Sequence, residues 1–131
     1  MRRCICLVLV LSAAGAIPAA AKEGARARLL TRVPIHAKAG ARITVRWTVQ
    51  VRGPSGKLVP FRANGMIARL IGNRTASTAF AQQFGPPYSV RIRVPRGGIR
   101  NIKVGLMGYS TNGRPAPAFF PITNDPFASA R

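Results

Sequence analysis

Acidic residues are almost missing: Glu23 and Asp125 are the only two carboxylates in 131 residues, and they stand near opposite ends of the chain. That scarcity removes whole classes of chemistry. A glycosidase needs two carboxyls at a fixed separation, and a Ca²⁺ or Mg²⁺ cage needs several oxygen ligands of this kind. Histidine is as scarce, with His36 alone. A Ser-His-Asp triad would have to draw on His36 and Asp125. The stretch Gly108-Tyr109-Ser110-Thr111-Asn112-Gly113 lacks the Gly-x-Ser-x-Gly spacing and the strand-to-helix setting of a nucleophile elbow. It reads instead as a polar hairpin loop. The expectation is a protein that is not an enzyme, with no catalytic residue, no cofactor and no metal site.

Cysteine is limited to Cys4 and Cys6, and long apolar runs to the one that contains them. That run, Cys4 to Ala14, is about 11 residues long, where a transmembrane helix needs about 20. Arg2 and Arg3 precede it, and Pro18 and the small residues Ala19-Ala20-Ala21 come after it. A positive n-region, a short apolar stretch and a small-residue cleavage site make up a secretory signal peptide. Residues 1–21 are therefore expected to be removed ahead of Lys22, giving a periplasmic or secreted bacterial protein with no membrane span after cleavage. Removing 21 of 131 residues leaves 110, enough for one domain. With both cysteines gone, that domain has to be held by its core alone.

What the chain has in abundance is positive charge. The mature part carries 19 basic residues against two acids, a net charge of +17, and most of the cations are arginine. Arginine holds phosphate and carboxylate bidentately where lysine does not. A field of this size attracts polyanions. A GC-rich genome, which favours Arg, Ala, Gly and Pro codons, would give the same composition without a ligand.

The dominant pattern is alternation with period two, the mark of strands with one buried face. In Arg42 to Arg52, Ile43, Val45, Trp47, Val49 and Val51 fall on one side, and Arg42, Arg46 and Arg52 with Thr44, Thr48 and Gln50 on the other. In Tyr88 to Val94, Tyr88, Val90, Ile92 and Val94 alternate with Ser89, Arg91 and Arg93. Further strands are expected over Arg28–Val33, Leu58–Arg62, Met66–Ile71, Ile99–Tyr109 and Ala118–Ile122. Leu58–Arg62 and Met66–Ile71 are expected to pair across Ala63-Asn64-Gly65. Ala76 to Phe84 reads equally as a strand or a short helical turn. Gly53-Pro54-Ser55-Gly56, Gly72-Asn73, Gly85-Pro86-Pro87, Pro95-Arg96-Gly97-Gly98 and Asn112-Gly113-Arg114-Pro115 punctuate these runs as turns. Seven to eight short strands so spaced predict an all-β, antiparallel sandwich. Residues 22–34 would be a lead-in and first strand, 35–123 the sandwich, and 124–131 a flexible tail.

Trp47 is expected in the core. Phe119 and Phe120 are adjacent, so one of them should face outward. Arg42, Arg46 and Arg52, with Arg91 and Arg93, are the candidate anion-binding residues, provided that their two strands lie in one sheet. The opposite reading is that these stems cover apolar surface and guard the sheet against edge pairing. Aromatic side chains do not interleave with them, so base stacking is not indicated and nucleic acid is not the expected partner. An anionic envelope polymer or an acidic protein is.

The segment Gly85-Pro86-Pro87-Tyr88-Ser89-Val90-Arg91-Ile92-Arg93-Val94-Pro95-Arg96-Gly97-Gly98-Ile99 resembles the Gly-x-x-Tyr, alternating strand and Pro-x-Gly-Gly half of bacterial exported immunoglobulin-like domains of the YtkA-like and FixH-like kind. Thr44-Val45-Arg46-Trp47-Thr48-Val49 is similar to the strand by which the chain enters such a sandwich, and Val59-Pro60-Phe61 stands where its next strand runs. The resemblance spans Ile35 to Leu106 and implies an immunoglobulin-like fold. It also implies a connection with copper, which such domains hold through His, Met and Cys. The mature chain offers only His36, Met66 and Met107, and the two methionines sit in apolar strand patterns where Met usually fills core gaps. The sequence thus points to a non-catalytic binding or accessory module. Copper handling in the periplasm and a purely structural envelope role are the alternatives.

Overall fold

The computed structural model describes residues 24–127. The expected signal peptide, both cysteines and residues 128–131 lie outside the described residues. Eight strands form two antiparallel sheets: β1 (Arg26–Leu29), β2 (Arg42–Arg52), β3 (Leu58–Pro60), β4 (Met66–Ile71), β5 (Ala76–Phe80), β6 (Tyr88–Arg93), β7 (Asn101–Tyr109) and β8 (Pro115–Phe119). Among the described residues no helix is long and apolar enough to cross a membrane.

Sheet A is built around β2, the longest strand. Trp47 of β2 pairs with Leu29 on one edge and Tyr88 on the other, while Gln50 pairs with Arg26 and Pro60. β1 therefore occupies one edge of β2, and the other edge carries β6 along its first half and β3 along its last. Sheet B runs β5-β4-β7-β8. The core lies between the sheets. Val45, Trp47, Val49, Tyr88, Val90 and Ile92 from sheet A cluster with Met66, Ala68, Leu70, Ile102, Val104 and Leu106 from sheet B. These are the alternate positions of each strand, as a pleated backbone requires.

The Ala63-Asn64-Gly65 turn is present, with Gly65 at φ 79°, but it does not close a hairpin. β3 pairs with β2 in one sheet and β4 with β5 and β7 in the other, so this connection crosses between sheets. The tyrosine that opens β6 holds the crossing in place. The Tyr88 hydroxyl donates to the Phe61 carbonyl at 2.6 Å and accepts from the Ala63 amide at 3.2 Å. Tyr88→Phe keeps the ring and strips both partners, leaving two partly buried backbone groups unpaired. The expected loss is about 1–3 kcal/mol in chemical denaturation. Burial pushes the Tyr88 hydroxyl above its ordinary pKa, against the opposing pull of the Ala63 amide and the Arg62 guanidinium. The folded protein thus keeps this phenol neutral to a higher pH than the unfolded chain does. Its contribution is full below about pH 10 and is lost as pH rises beyond it. In paired titrations the parent should lose more stability than Tyr88→Phe between neutral and strongly alkaline pH. Equal losses would show that Tyr88 does not titrate as a buried group.

Residues 124–127, the described part of the expected tail, are tied to sheet A. After β8 the chain leaves sheet B and runs beside β1: the Ala27 amide donates to the Pro121 carbonyl at 2.8 Å, and the Thr123 amide to the Ala27 carbonyl at 2.9 Å. Asn124 then acts as a surrogate strand residue. Its Oδ1 accepts from the Leu29 amide and its Nδ2 donates to the Leu29 carbonyl, both at 2.9 Å. The Val33 amide reaches the Pro126 carbonyl at 3.0 Å, and Phe127 packs against the core. This segment covers the outer edge of β1 and ties one sheet to the other.

Candidate anion-binding face

On β2 the apolar set turns inward to the core, which obliges Arg42, Thr44, Arg46, Thr48, Gln50 and Arg52 to turn outward. The same rule turns Ser89, Arg91 and Arg93 of β6 outward, with Tyr88, Val90 and Ile92 inside. Because β6 lies on β2, these residues meet across the ladder: Arg42 stands opposite Arg93, Thr44 opposite Arg91, and Arg46 opposite Ser89. All five arginines singled out from the sequence therefore share the outer face of sheet A, exposed to solvent.

Two further arginines join them that the sequence reading missed. β1 begins at Arg26, not at Arg28, and its buried residues are Ala27 and Leu29. Arg26 and Arg28 consequently face outward, opposite Gln50 and Thr48 of β2. The signal was available in Arg26-Ala27-Arg28-Leu29, which alternates in register with β2, but alanine is a weak marker of a buried position. Seven exposed arginines thus occupy one face, drawn from three strands.

Among the described residues the face has no compensating charge. Among the described residues Asp125 is the only carboxylate, and its Oδ1 accepts the Phe127 amide at 2.9 Å. The Arg52 guanidinium donates to the Gly56 carbonyl and so folds back on its own turn. Among the described residues, the other six guanidinium groups make no hydrogen bond to a protein acceptor and no ion pair. Like charges directly opposite one another weaken a strand pair, so the Arg42–Arg93 juxtaposition is a cost that an anion seated between them would relieve. Where β6 ends, Arg93 also lines a cleft of about 420 Å³ with Arg96, Thr75 and Ser77.

The other candidate constellations are not assembled. Met66 points into the core, whereas Met107, one residue beyond its inward-facing neighbour Leu106, points to the opposite side of sheet B. His36 is an exposed residue of the β1–β2 connection. Among the described residues no group of three or more His, Cys, Asp or Glu side chains comes together. Ser110 opens the β7–β8 hairpin, where its hydroxyl bonds within the turn to Asn112 and to the Arg114 carbonyl at 3.1 Å. No hydrogen bond joins it to His36 or Asp125. Of the adjacent pair, Phe120 is buried and Phe119 lies on the outer face of sheet B, where the cations of Arg69 and Lys103 stand 5.1 and 5.3 Å from its ring centre. No family model, no curated protein and no solved structure matches this chain.

Proposed function

We propose that this chain is an exported, non-catalytic binding module, an immunoglobulin-like sandwich akin to the YtkA-like and FixH-like domains, that docks on an anionic surface or acidic partner through the outer face of sheet A. The strand order supports the fold reading. β1, β2, β3 and β6 share one sheet while β4, β5, β7 and β8 share the other; β1, β2 and β6 parallel strands A, B and E, and β4, β7 and β8 parallel C, F and G of immunoglobulin domains, with β3 and β5 in addition. The signal-like opening of the sequence supports the periplasmic or secreted location. The docking reading is carried by one observation: seven solvent-exposed arginines on a single sheet face with, among the described residues, no carboxylate beside them. Arginine is suited to phosphate and carboxylate oxygens, which it grips with two parallel hydrogen bonds.

Binding of the Lys22–Arg131 protein to heparin and to lipopolysaccharide across a salt series tests this. Affinity is expected to fall steeply with salt. Replacing Arg42, Arg46, Arg91 and Arg93 together by Ser should remove roughly three to four units from the slope of log K against log salt, at about 0.7–0.9 per contact. Because all four side chains are exposed, the variant should unfold at or above the parent's temperature. A variant that binds as tightly as the parent would show that the charge acts diffusely and that the face is not the site.

A further inference from the structure

The arginines are not scattered over the face. Measured along β2, the register puts them rung by rung: Arg42 and Arg93 share the first outward rung, Arg91 lies on the Thr44 rung, Arg46 on its own, Arg28 on the Thr48 rung and Arg26 on the Gln50 rung. Five successive outward rungs therefore each carry at least one guanidinium, six in all, before Arg52 turns back to Gly56. They do so although the residues come from three strands, and β2 itself supplies arginine on only two of those five rungs. The path steps from β6 across β2 to β1. Outward rungs recur every two residues, about 6.7 Å, and neighbouring strands lie about 4.8 Å apart. One guanidinium per rung over about 27 Å of β2 is thus a line of charge with steps of roughly 7 Å along a strand and roughly 8 Å where the path changes strand.

We infer that the ligand of this face is a linear phosphodiester chain lying obliquely across β6, β2 and β1, one phosphate to a rung. A phosphodiester polymer with a three-carbon bridge has six backbone bonds between successive phosphates, as many as two peptide residues, so its extended repeat is about 7 Å. That repeat equals the step along one strand, and the long arginine side chains can take up the additional ångström or so where the path changes strand. The cations on these rungs are all arginine, although the mature chain also has lysines to offer, and arginine is the side chain that takes phosphate bidentately. Between the arginines lie Thr44, Thr48, Gln50 and Ser89, which can donate to phosphate oxygens, and no aromatic ring; Trp47 and Tyr88 are fully buried behind the sheet. The chain is therefore gripped by its charges and not by any base. A poly(glycerol phosphate), which carries this backbone and no base, is therefore the occupant that fits; a nucleic-acid backbone has the same phosphate spacing but brings bases that find no ring to stack on. A flat anionic lipid surface would need the same charge but no repeat.

The inference rests on the reading of the arginine face as an anion site, and the test separates the two. Oligothymidylates of two to ten phosphates and glycerol phosphate oligomers of the same lengths are titrated into the Lys22–Arg131 protein by calorimetry or fluorescence anisotropy. Affinity should climb with each phosphate up to about five and then level off. For the five-phosphate oligomer it should fall about 100-fold between 50 and 200 mM salt, the response of roughly five single-strand contacts. The glycerol phosphate series should bind at least as tightly as the thymidylates, whose bases gain no contact on this face. Arg26→Ser/Arg28→Ser, at the far end of the line, should weaken oligomers of five or more phosphates at least tenfold and leave those of two or three unchanged. Arg100→Ser/Arg114→Ser removes the same charge away from this face and should weaken neither. Length-independent affinity, or equal weakening by both double variants, would overturn the ladder. Markedly tighter binding of the thymidylates would overturn recognition by charge alone. Salt-sensitive binding to heparin or anionic vesicles with no binding of oligomers would overturn the ladder and leave the anion face standing. Failure of every polyanion to bind would overturn both.

Discussion

Trp47→Ala should lower unfolding stability by about 3–5 kcal/mol, a large part of the roughly 5–15 kcal/mol that holds a domain of this size. Trp47 is the only tryptophan of the chain. It is fully buried, central in β2, and flanked by Leu29 on one neighbouring strand and Tyr88 on the other. Its ring lies 5.7 Å from that of Tyr88, tilted by 33°. Truncation opens a cavity where both edges of β2 and the facing sheet converge, and a paired backbone cannot collapse into it. A companion change refines the expectation. Among the described residues the Trp47 Nε1–H is buried with no hydrogen-bond partner, a defect that costs about 1–3 kcal/mol. Trp47→Phe removes that donor while keeping a ring, so it should cost clearly less than Trp47→Ala. Denaturant melts followed by far-ultraviolet circular dichroism give both values. A near-neutral Trp47→Ala would mean that this face of β2 is not the core, and the outward direction of the arginines would fall with it.

That dependence shows how much was legible in the sequence and why. The register of one strand settles both the core and the candidate site, since each residue that turns inward forces its neighbour outward. β2, β4 and β6 alternate strongly or are densely apolar, and they run close to the bounds expected of them. Elsewhere the signals were local and the outcome was not. Ala63-Asn64-Gly65 is a true turn, but whether a turn closes a hairpin or crosses between sheets depends on long-range partners. Here those are the Val49 carbonyl, which accepts the Phe61 amide at 2.8 Å, and the Tyr88 hydroxyl. Pro115 reads as the end of a turn, and the strand expected over Ala118–Ile122 begins only after Pro117. Both lie in β8, an edge strand, where a proline is tolerated because only one side of the strand enters the ladder. Asn124 looked like the start of a free end, and no periodicity can reveal that its side-chain amide stands in for a strand's backbone.

The arginine face was half legible. β2 and β6 supplied five candidates from alternation alone, with their union in one sheet left conditional. The pairing of β2 with β6 meets that condition. Arg26 and Arg28 were lost because the first strand is only four residues long, with alanine as one of its two inward residues. The even spacing of charge along the face was not legible at all, because it exists only once the registers of three strands are known. The opposite outer face, on sheet B, is of another kind. It carries Phe80, Met107, Tyr109 and Phe119, with Arg69 and Lys103 over the last of these. The two sheets therefore differ in surface chemistry as well as in position, and among the described residues the uninterrupted cationic face is that of sheet A.

Gly105→Ala is the second substitution with a large expected effect, although it adds only one carbon. Gly105 lies within β7 and pairs with Phe119 of β8. A Cβ placed there would meet the Ala118 carbonyl oxygen at 2.2 Å, with the Ala118 carbonyl carbon and the Phe119 Cα both at 2.9 Å. These are backbone atoms of a hydrogen-bonded partner, so no side-chain rotation relieves the contact and β8 itself has to move. Displacing β8 strains three contacts at and beyond its end. They are the Phe120 amide bonded to the Val104 carbonyl at 2.9 Å, the edge-on packing of Phe120 against Phe61, and the segment from Pro121 to Pro126 that covers β1. Overpacking in a well-packed interior costs about 1–3 kcal/mol and occasionally more, and a clash with backbone belongs at the upper end. The loss should show first as hydrogen exchange in β8 and along β1, before the amides of β4 or β2 open. Exchange confined to β8, with β1 still protected, would show that the C-terminal segment holds β1 independently of β8. A stability within a few tenths of a kcal/mol of the parent would mean that β7 and β8 do not approach as closely as their pairing describes.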